Sequence, residues 1–328
     1  MSFLVRKMLN PVPVVLNVRQ SFWFTLAVAL LAPLTSAFAQ PAQPTFNLDD
    51  LGVAVEEWAR ENLDENVLAA LGGADRKRTD YLFKEFTSRL QSENVYDLAP
   101  LMDTATTLLP VLEGLEEAKP YASWLRTHLD YLLVSDELKR TAPSPQPGQT
   151  SPNPPADAQR TVWDQQLAKR PLPARAKTHV PRLKPIFSAQ GTPPALVWLA
   201  EVESSFDPGA RSPAGAVGMF QFMAPTARAQ GLSLSPRDER LDPDKSARAA
   251  AKYLRYLYGR FGDWRLALAA YNAGETRVHN LLTRYKTRSY SVISTRLPAE
   301  TQLYVPKIEA TVGKREGVTL ASLRLPPS

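Results

Sequence analysis

Cysteine is absent from all 328 residues, which excludes disulfides, thiolate metal sites, a cysteine nucleophile and a lipid attached at a signal-sequence cysteine. Histidine is scarce. His128, His179 and His279 lie far apart in the chain and none has a partner at ligand spacing, so neither a metal nor another cofactor is expected. Long apolar runs are missing too: the hydrocarbon core of a bilayer takes about 20 consecutive apolar residues, and Phe22–Ala32 is roughly half that length. Arg6, Lys7 and Arg19 precede this run, and Ala37-Phe38-Ala39 follows with small residues at the two recognition positions. That is the layout of a secretory signal peptide over residues 1–39, with Gln40 opening the mature chain. No later stretch alternates long enough to make a sheet, so a mainly α fold is expected.

Charge is divided by region. Residues 41–140 carry ten Lys/Arg against nineteen Asp/Glu, a net of −9, whereas residues 141–328 carry twenty-six against fourteen, a net of +12. The basic half suits an anionic polymer. Nucleic acid is not expected as that polymer, because a secreted chain rarely meets it. A generally basic, solubilising surface is the plain alternative.

Periodicity places helices through the acidic region. Leu51, Val55, Trp58 and Ala59 share a face behind a cap at Asp49 or Asp50, and further helices are expected at 78–90, 101–115 (interrupted by Pro110) and 121–133. This is an acidic helical bundle, 41–140, that could hold a protein partner or dock transiently on the basic half. Residues 141–157 hold many prolines with Ser, Gln and Gly and no apolar residue larger than alanine, so 141–160 reads as a semi-extended linker. A second helical domain is expected over 161–320, with 321–328 as a tail.

Within it, Thr192-Pro193-Pro194 reads as a helix start, with threonine as the N-cap. In the helix that follows, Leu196, Leu199, Ala200 and Glu203 fall on one face, while Glu201 lies some 160° around from Glu203. A carboxylate continuing an apolar stripe is held near neutrality by burial, the condition a general acid needs. A structural Glu in an internal ion pair satisfies the same pattern. Gly215 and Gly218 allow tight turns. Met219, Phe220 and Phe222 offer soft or flat apolar surfaces, and Gln221 a two-sided amide. Asp244 is expected to open a helix with Ala247, Ala250, Ala251, Leu254 and Leu257 inward, and Asp263 to cap the next one, which carries Tyr271 and Asn272 to its end.

Four pieces occur in order: Glu203-Ser204-Ser205-Phe206; Ser212 to Ala227 with Gly218-Met219-Phe220-Gln221-Phe222-Met223 at its centre; Ala270-Tyr271-Asn272-Ala273-Gly274; and Leu297-Pro298-Ala299-Glu300-Thr301, closing on Tyr304-Val305-Pro306. Together they resemble the catalytic domain of the family 1 lytic transglycosylases, a lysozyme-like helical fold, and most nearly the group of membrane-bound lytic murein transglycosylase D. The resemblance spans roughly residues 184–313. It implies cleavage of peptidoglycan glycan strands between N-acetylmuramic acid and N-acetylglucosamine, with closure of a 1,6-anhydro ring and no metal or other cofactor. It also implies that Glu203 is the catalytic acid and base, and that Ser212, Met219, Phe220, Gln221, Tyr271, Asn272 and Tyr304 line the saccharide cleft. Glu300 is taken as structural. Phe220 stands where that group usually has Trp. A hydrolytic muramidase on the same fold, or a non-catalytic wall-binding protein, are the alternatives. A periplasmic chain that is not a lipoprotein is the matching location.

Overall fold

The computed structural model describes residues 84–114, 119–143 and 151–326. The expected signal peptide, the helix behind Asp49 or Asp50, and the start of the helix at 78–90 lie outside the described residues. Among those described, helices account for every regular element, and extended pairing is limited to two isolated bridges, Arg211 with Val217 and Val217 with Phe222.

Residues 84–90 are helical. A 3-10 turn follows at Val95–Leu101, where the Asn94 side chain caps Tyr96 N–H at 2.9 Å. Helix α1 (Met102–Gly114) continues through Pro110, which was expected to interrupt it; one proline removes a single ladder bond, and the packed face of Ala105, Leu108, Val111 and Leu112 holds the turns together. Helix α2 (Lys119–Thr141) is longer than expected and nearly buried all round.

The expected separation of an acidic bundle from a basic domain does not describe the packing. The described residues all belong to one unit. The apparent linker ends early: residues 151–155 belong to no regular element, Pro155 is extended, and helix α3 (Ala156–Ala168) starts inside the span read as linker. Asn153 ties the crossing down, accepting from Val95 N–H at 2.9 Å and donating to Thr295 O at 3.1 Å. Prolines here set an extended conformation without making it free.

Helix α4 (Ala176–Ala189) leads to the 3-10 turn Pro194–Trp198, which runs into helix α5 (Leu199–Ser204). Thr192 does not cap this helix as expected; its hydroxyl donates to Ala251 O at 2.8 Å. After a loop and the short helix α6 (Ala224–Ala229), helix α7 (Pro243–Phe261) begins. Its cap is Asp242, whose carboxylate accepts from the Asp244 and Lys245 N–H groups. The expected start at Asp244 is therefore one turn-position late, because proline at the first helical residue shifts the cap upstream. Helix α8 (Trp264–Ala273) is capped by Asp263 as expected, at 3.0 Å to Leu266 N–H. Helices α9 (Glu275–Arg284), α10 (Tyr290–Ile293) and α11 (Ala299–Glu316) complete the fold.

Helix α11 is the central post. Residues Ala299 to Val312, apart from Glu300, are buried along it. Lys307, 2% exposed, joins it to α2: its ammonium donates to Thr127 O at 2.9 Å, meets Asp130 at 3.1 Å and lies 4.4 Å from the centre of the Tyr131 ring. Burial pushes the Asp130 carboxyl up, but Lys307 and Arg170 outweigh it and hold it below its ordinary value. A buried charge with this many partners fixes one relative placement of the helices it joins.

Candidate functional site

Glu203 sits at the last turn of α5, where Ser205 and then Phe206 take left-handed backbone (φ 54° and 62°) and end the helix. The two glutamates of this helix part as the helical angle requires. Glu201 turns away into a buried fork with Arg315, at 2.8 and 3.0 Å. Glu203 opens on a cleft of about 260 Å³ and accepts a hydrogen bond from the Tyr304 hydroxyl. Burial pushes the Glu203 carboxyl up to about 8; the Tyr304 hydrogen bond works against this, the neighbouring charge of Glu300 adds to it, and Lys307 lowers it. At neutral pH the group thus carries its proton.

The loop from Ala210 to Phe222 forms one wall. Gly218 takes φ 86°, and a Cβ there would stand 1.9 Å from Arg240 O, so backbone passes backbone at this point with no room for a side chain. Arg240, 8% exposed, holds the loop from beneath, donating to Phe222 O at 3.0 Å and Gly215 O at 3.3 Å while Asp238 pairs with it at 2.7 Å. Gln221, at φ 48°, donates to Ala210 O and Gly218 O; its Oε1 is buried without a partner. Ser212 accepts from Ala216 N–H at 2.9 Å.

Of the residues expected at the site, Glu203, Ser212, Gln221, Tyr271 and Asn272 line the cleft, together with Phe222. Tyr304 stands behind Glu203 and is 1% exposed. Met219 and Phe220 do not reach the cleft: both side chains are fully buried, Phe220 against Phe187 at 5.8 Å between ring centres. Their carbonyls do the local work, Met219 O accepting from Ser204 and Phe220 O from the Tyr271 hydroxyl, each at 2.8 Å. The apolar side chains fasten the loop to the core.

Glu300 is not set apart from the site. It lines the cleft, where Asn272 donates to it at 3.1 Å and His128 Nε2 approaches to 3.6 Å. Burial pushes its carboxyl up, but His128, Asn272 and Lys307 bring it below its ordinary value, so it is ionised. Thr301 in turn donates to Asn272 Oδ1 at 2.6 Å, which fixes the amide with its NH2 towards Glu300. The cleft therefore holds one protonated and one ionised carboxyl.

The opposite wall comes from the acidic half. Thr87, Leu90, Gln91, Trp124 and His128 line the cleft, and sequence reasoning found none of them. Trp124 and His128 are four residues apart on one face of α2, their rings 4.2 Å apart. His128 Nδ1 meets the Trp124 carbonyl at 2.8 Å, so that nitrogen carries a proton. The i, i+4 spacing was visible, but nothing local to it pointed across the chain to Glu300. Tyr253 of α7 also lines the cleft, with burial pushing its hydroxyl up to about 12.

Among the described residues, a helical framework with a protonated and an ionised glutamate lining one cleft has the equipment of an acid–base catalyst. Comparison with known proteins narrows this. Residues 188–294 match the family model described as Transglycosylase SLT domain, and over this stretch the chain is similar to lytic murein transglycosylases. Over 137 residues it is 42% identical to "Membrane-bound lytic murein transglycosylase D" of Escherichia coli (strain K12), 39% of this chain and 30% of that protein. Over 100 residues it is 44% identical to "Peptidoglycan transglycosylase gp16" of Escherichia phage T7, 29% of this chain and 8% of that one. It is also 33% identical over 122 residues to "Putative tributyltin chloride resistance protein" of Alteromonas sp. (strain M-1), 37% of this chain and 59% of the other. The first of these matches spans less than a third of the relative's length. Trp124, His128, Glu300 and Tyr304 all lie outside the stretch matched by the SLT model. Among the described residues no helix is long and apolar enough to cross a membrane.

Proposed function

We propose that the chain is a peptidoglycan lytic transglycosylase, active in the periplasm after removal of its signal peptide, with Glu203 as acid and then base. The observation that carries this is the Glu203 carboxyl, held protonated to about pH 8 at the wall of a cleft in an SLT domain. In the first step its proton passes to the oxygen bridging N-acetylmuramic acid and N-acetylglucosamine as the bond from that oxygen to the muramyl C1 breaks. Tyr304, donating to the Glu203 carboxylate, and the Lys307 ammonium favour the anion left behind. In the second step this anion takes the proton of the muramyl C6 hydroxyl, whose oxygen bonds to C1. The burial and the Glu300 charge that raise the carboxyl favour its return to the acid form. Ser212, Gln221, Tyr271 and Asn272 would hold the saccharide, with the unpaired Gln221 Oε1 free to accept from it.

The hydrolytic reading gains a specific basis in Glu300. Glycosidases that use water need a second, ionised carboxylate across the sugar, and Glu300 is ionised and lines the cleft. His128 and Asn272 both engage it, which favours an electrostatic role over activating water. Mass analysis of products from purified sacculi separates the two: anhydro ends are expected, and products one water heavier would establish hydrolysis. Glu203→Gln is expected to release no product; digestion by that variant would overturn the assignment.

A further inference from the structure

Glu300, Tyr304 and Lys307 stand at i, i+4 and i+7 along α11, on one face of that helix. These are the three side chains whose hydrogen bond or charge acts on the Glu203 carboxyl. Helix α2 partners two of them: Asp130 meets Lys307 at 3.1 Å, and His128 Nε2 meets Glu300 at 3.6 Å. Of these two pairs, the second reaches the cleft, because His128 and Glu300 both line it. His128 is held from several sides. It is 6% exposed, and its ring centre lies 4.2 Å from that of Trp124, 5.3 Å from Tyr131 and 6.4 Å from Phe86. Nδ1 is committed to the Trp124 carbonyl at 2.8 Å, which leaves Nε2 for Glu300. A bare lone pair there would repel an ionised carboxylate, so Nε2 meets it through an N–H. The charged groups on the elements around this ring are Glu300 and Lys307 of α11, Asp130 of α2 itself and Glu203 of α5. Arg170 is taken up by Asp130. The segment 84–90 meets His128 with Phe86, while its Glu85 and Arg89 pair with each other at 2.8 Å.

We propose that His128, supplied by the part of the chain that the SLT model does not match, is a positioning residue of the reaction: its Nε2 anchors the Glu300 carboxylate at the wall of the cleft that Glu203 also lines. The placement has a chemical use. Cleavage at the muramyl C1 passes through a state with positive charge spread over the sugar ring. A carboxylate stabilises that charge best when it is ionised and already aimed. Burial by itself would push Glu300 towards its acid form; His128, with Asn272 and Lys307, holds it below its ordinary value. The inference rests on the reading that this cleft cuts the glycan strand at that bond.

The test uses the full chain and purified glycan strands. His128→Phe keeps a ring against Trp124 and removes both nitrogens, whereas His128→Gln returns one N–H at about the reach of Nε2. Each is made alone and together with Glu300→Gln. His128→Phe is expected to lower kcat about tenfold while KM stays within about twofold. The acidic limb of its kcat profile should move to higher pH, because Glu300 then takes up its proton earlier as the pH falls. His128→Gln should recover part of both effects. In the Glu300→Gln background, His128→Phe should change kcat by less than about twofold, since the group it acts through is gone. Damage to the fold alone would lower activity in both backgrounds and leave the limb in place. Should the Phe variant not melt cooperatively, the same comparisons are made with His128→Gln. An unmoved acidic limb, or an equal loss with and without Glu300→Gln, overturns the proposal. Product analysis of the wild type reports separately on the reading beneath it: products one water heavier refute anhydro closure, while the limb and the two backgrounds still decide the role of His128.

Discussion

Glu203 acts through two opposed sets of neighbours. Burial and the charge of Glu300 favour its acid form, whereas the Tyr304 hydroxyl and Lys307 favour its anion. Each side can be removed by one change. Glu300→Gln takes away the neighbouring negative charge, so Glu203 releases its proton more easily and the basic limb of kcat/KM is expected to move below about pH 8. Tyr304→Phe removes the donor to the anion, and the same limb is expected to move up, with a lower kcat because the anion formed in the first step loses a partner. A pH profile that moves in neither variant would show that Glu203 does not set that limb. Stability follows from the same shift. A carboxyl raised in the folded state from 4.5 to about 8 contributes stability that is whole below pH 4.5 and is lost as the pH rises through 8. Glu203→Gln does not titrate, so its Tm is expected to gain on the wild type between pH 5 and pH 9, a comparison that thermal melts at the two pH values make directly.

At the scale of elements, the loop Ala210–Phe222 is held by contacts that its own sequence only half declares. Gly218 announces a special backbone, and the structure gives the reason: Arg240 O occupies the place of a Cβ. Gly218→Ala meets that carbonyl and a positive φ together, so a loss of more than about 2 kcal/mol is expected by denaturant titration. Arg240 reports differently. It is buried, pairs with Asp238 and holds two loop carbonyls, so Arg240→Ala is expected to release the loop and lower kcat/KM well beyond its effect on Tm. Met219 and Phe220 illustrate the limit of reading residue types. Soft and aromatic side chains suit a sugar face and a core equally, and at these two positions they serve the core.

For the whole molecule, the charge contrast between the halves was real but its meaning was different. The acidic helices are no separate module that visits the basic half. Helix α2 is joined to α11 through Lys307 and Asp130, and Ala299 N–H donates to Ser92 O at 2.7 Å across the same boundary. One wall of the cleft belongs to this half. A chain lacking residues 41–140 would expose the apolar faces of α3, α5 and α11 and strand Lys307 without its carboxylate. Loss of soluble expression, or a collapsed melting transition, is the expected outcome, where an independent module would leave a folded and active remainder.

Taken alone, the sequence determined the helical class, the starts of helices that carry a side-chain cap such as Asp263, the place of Glu203 on an apolar stripe, and four ordered pieces, of which the first three fall within the stretch that matches the SLT model. These depend on neighbours a few positions apart, and periodicity and capping are local. What only the tertiary structure decided is pairing over long separations: Glu203 with Tyr304, Glu300 with His128, Arg240 beneath the loop, Lys307 with Asp130. Residues 101 or 172 positions apart meet because buried helices cross, and no local pattern encodes which faces will cross. By its own helix Glu203 was a carboxylate continuing an apolar stripe, and its raised proton affinity comes first from burial at the cleft, with the charge of Glu300 adding to it.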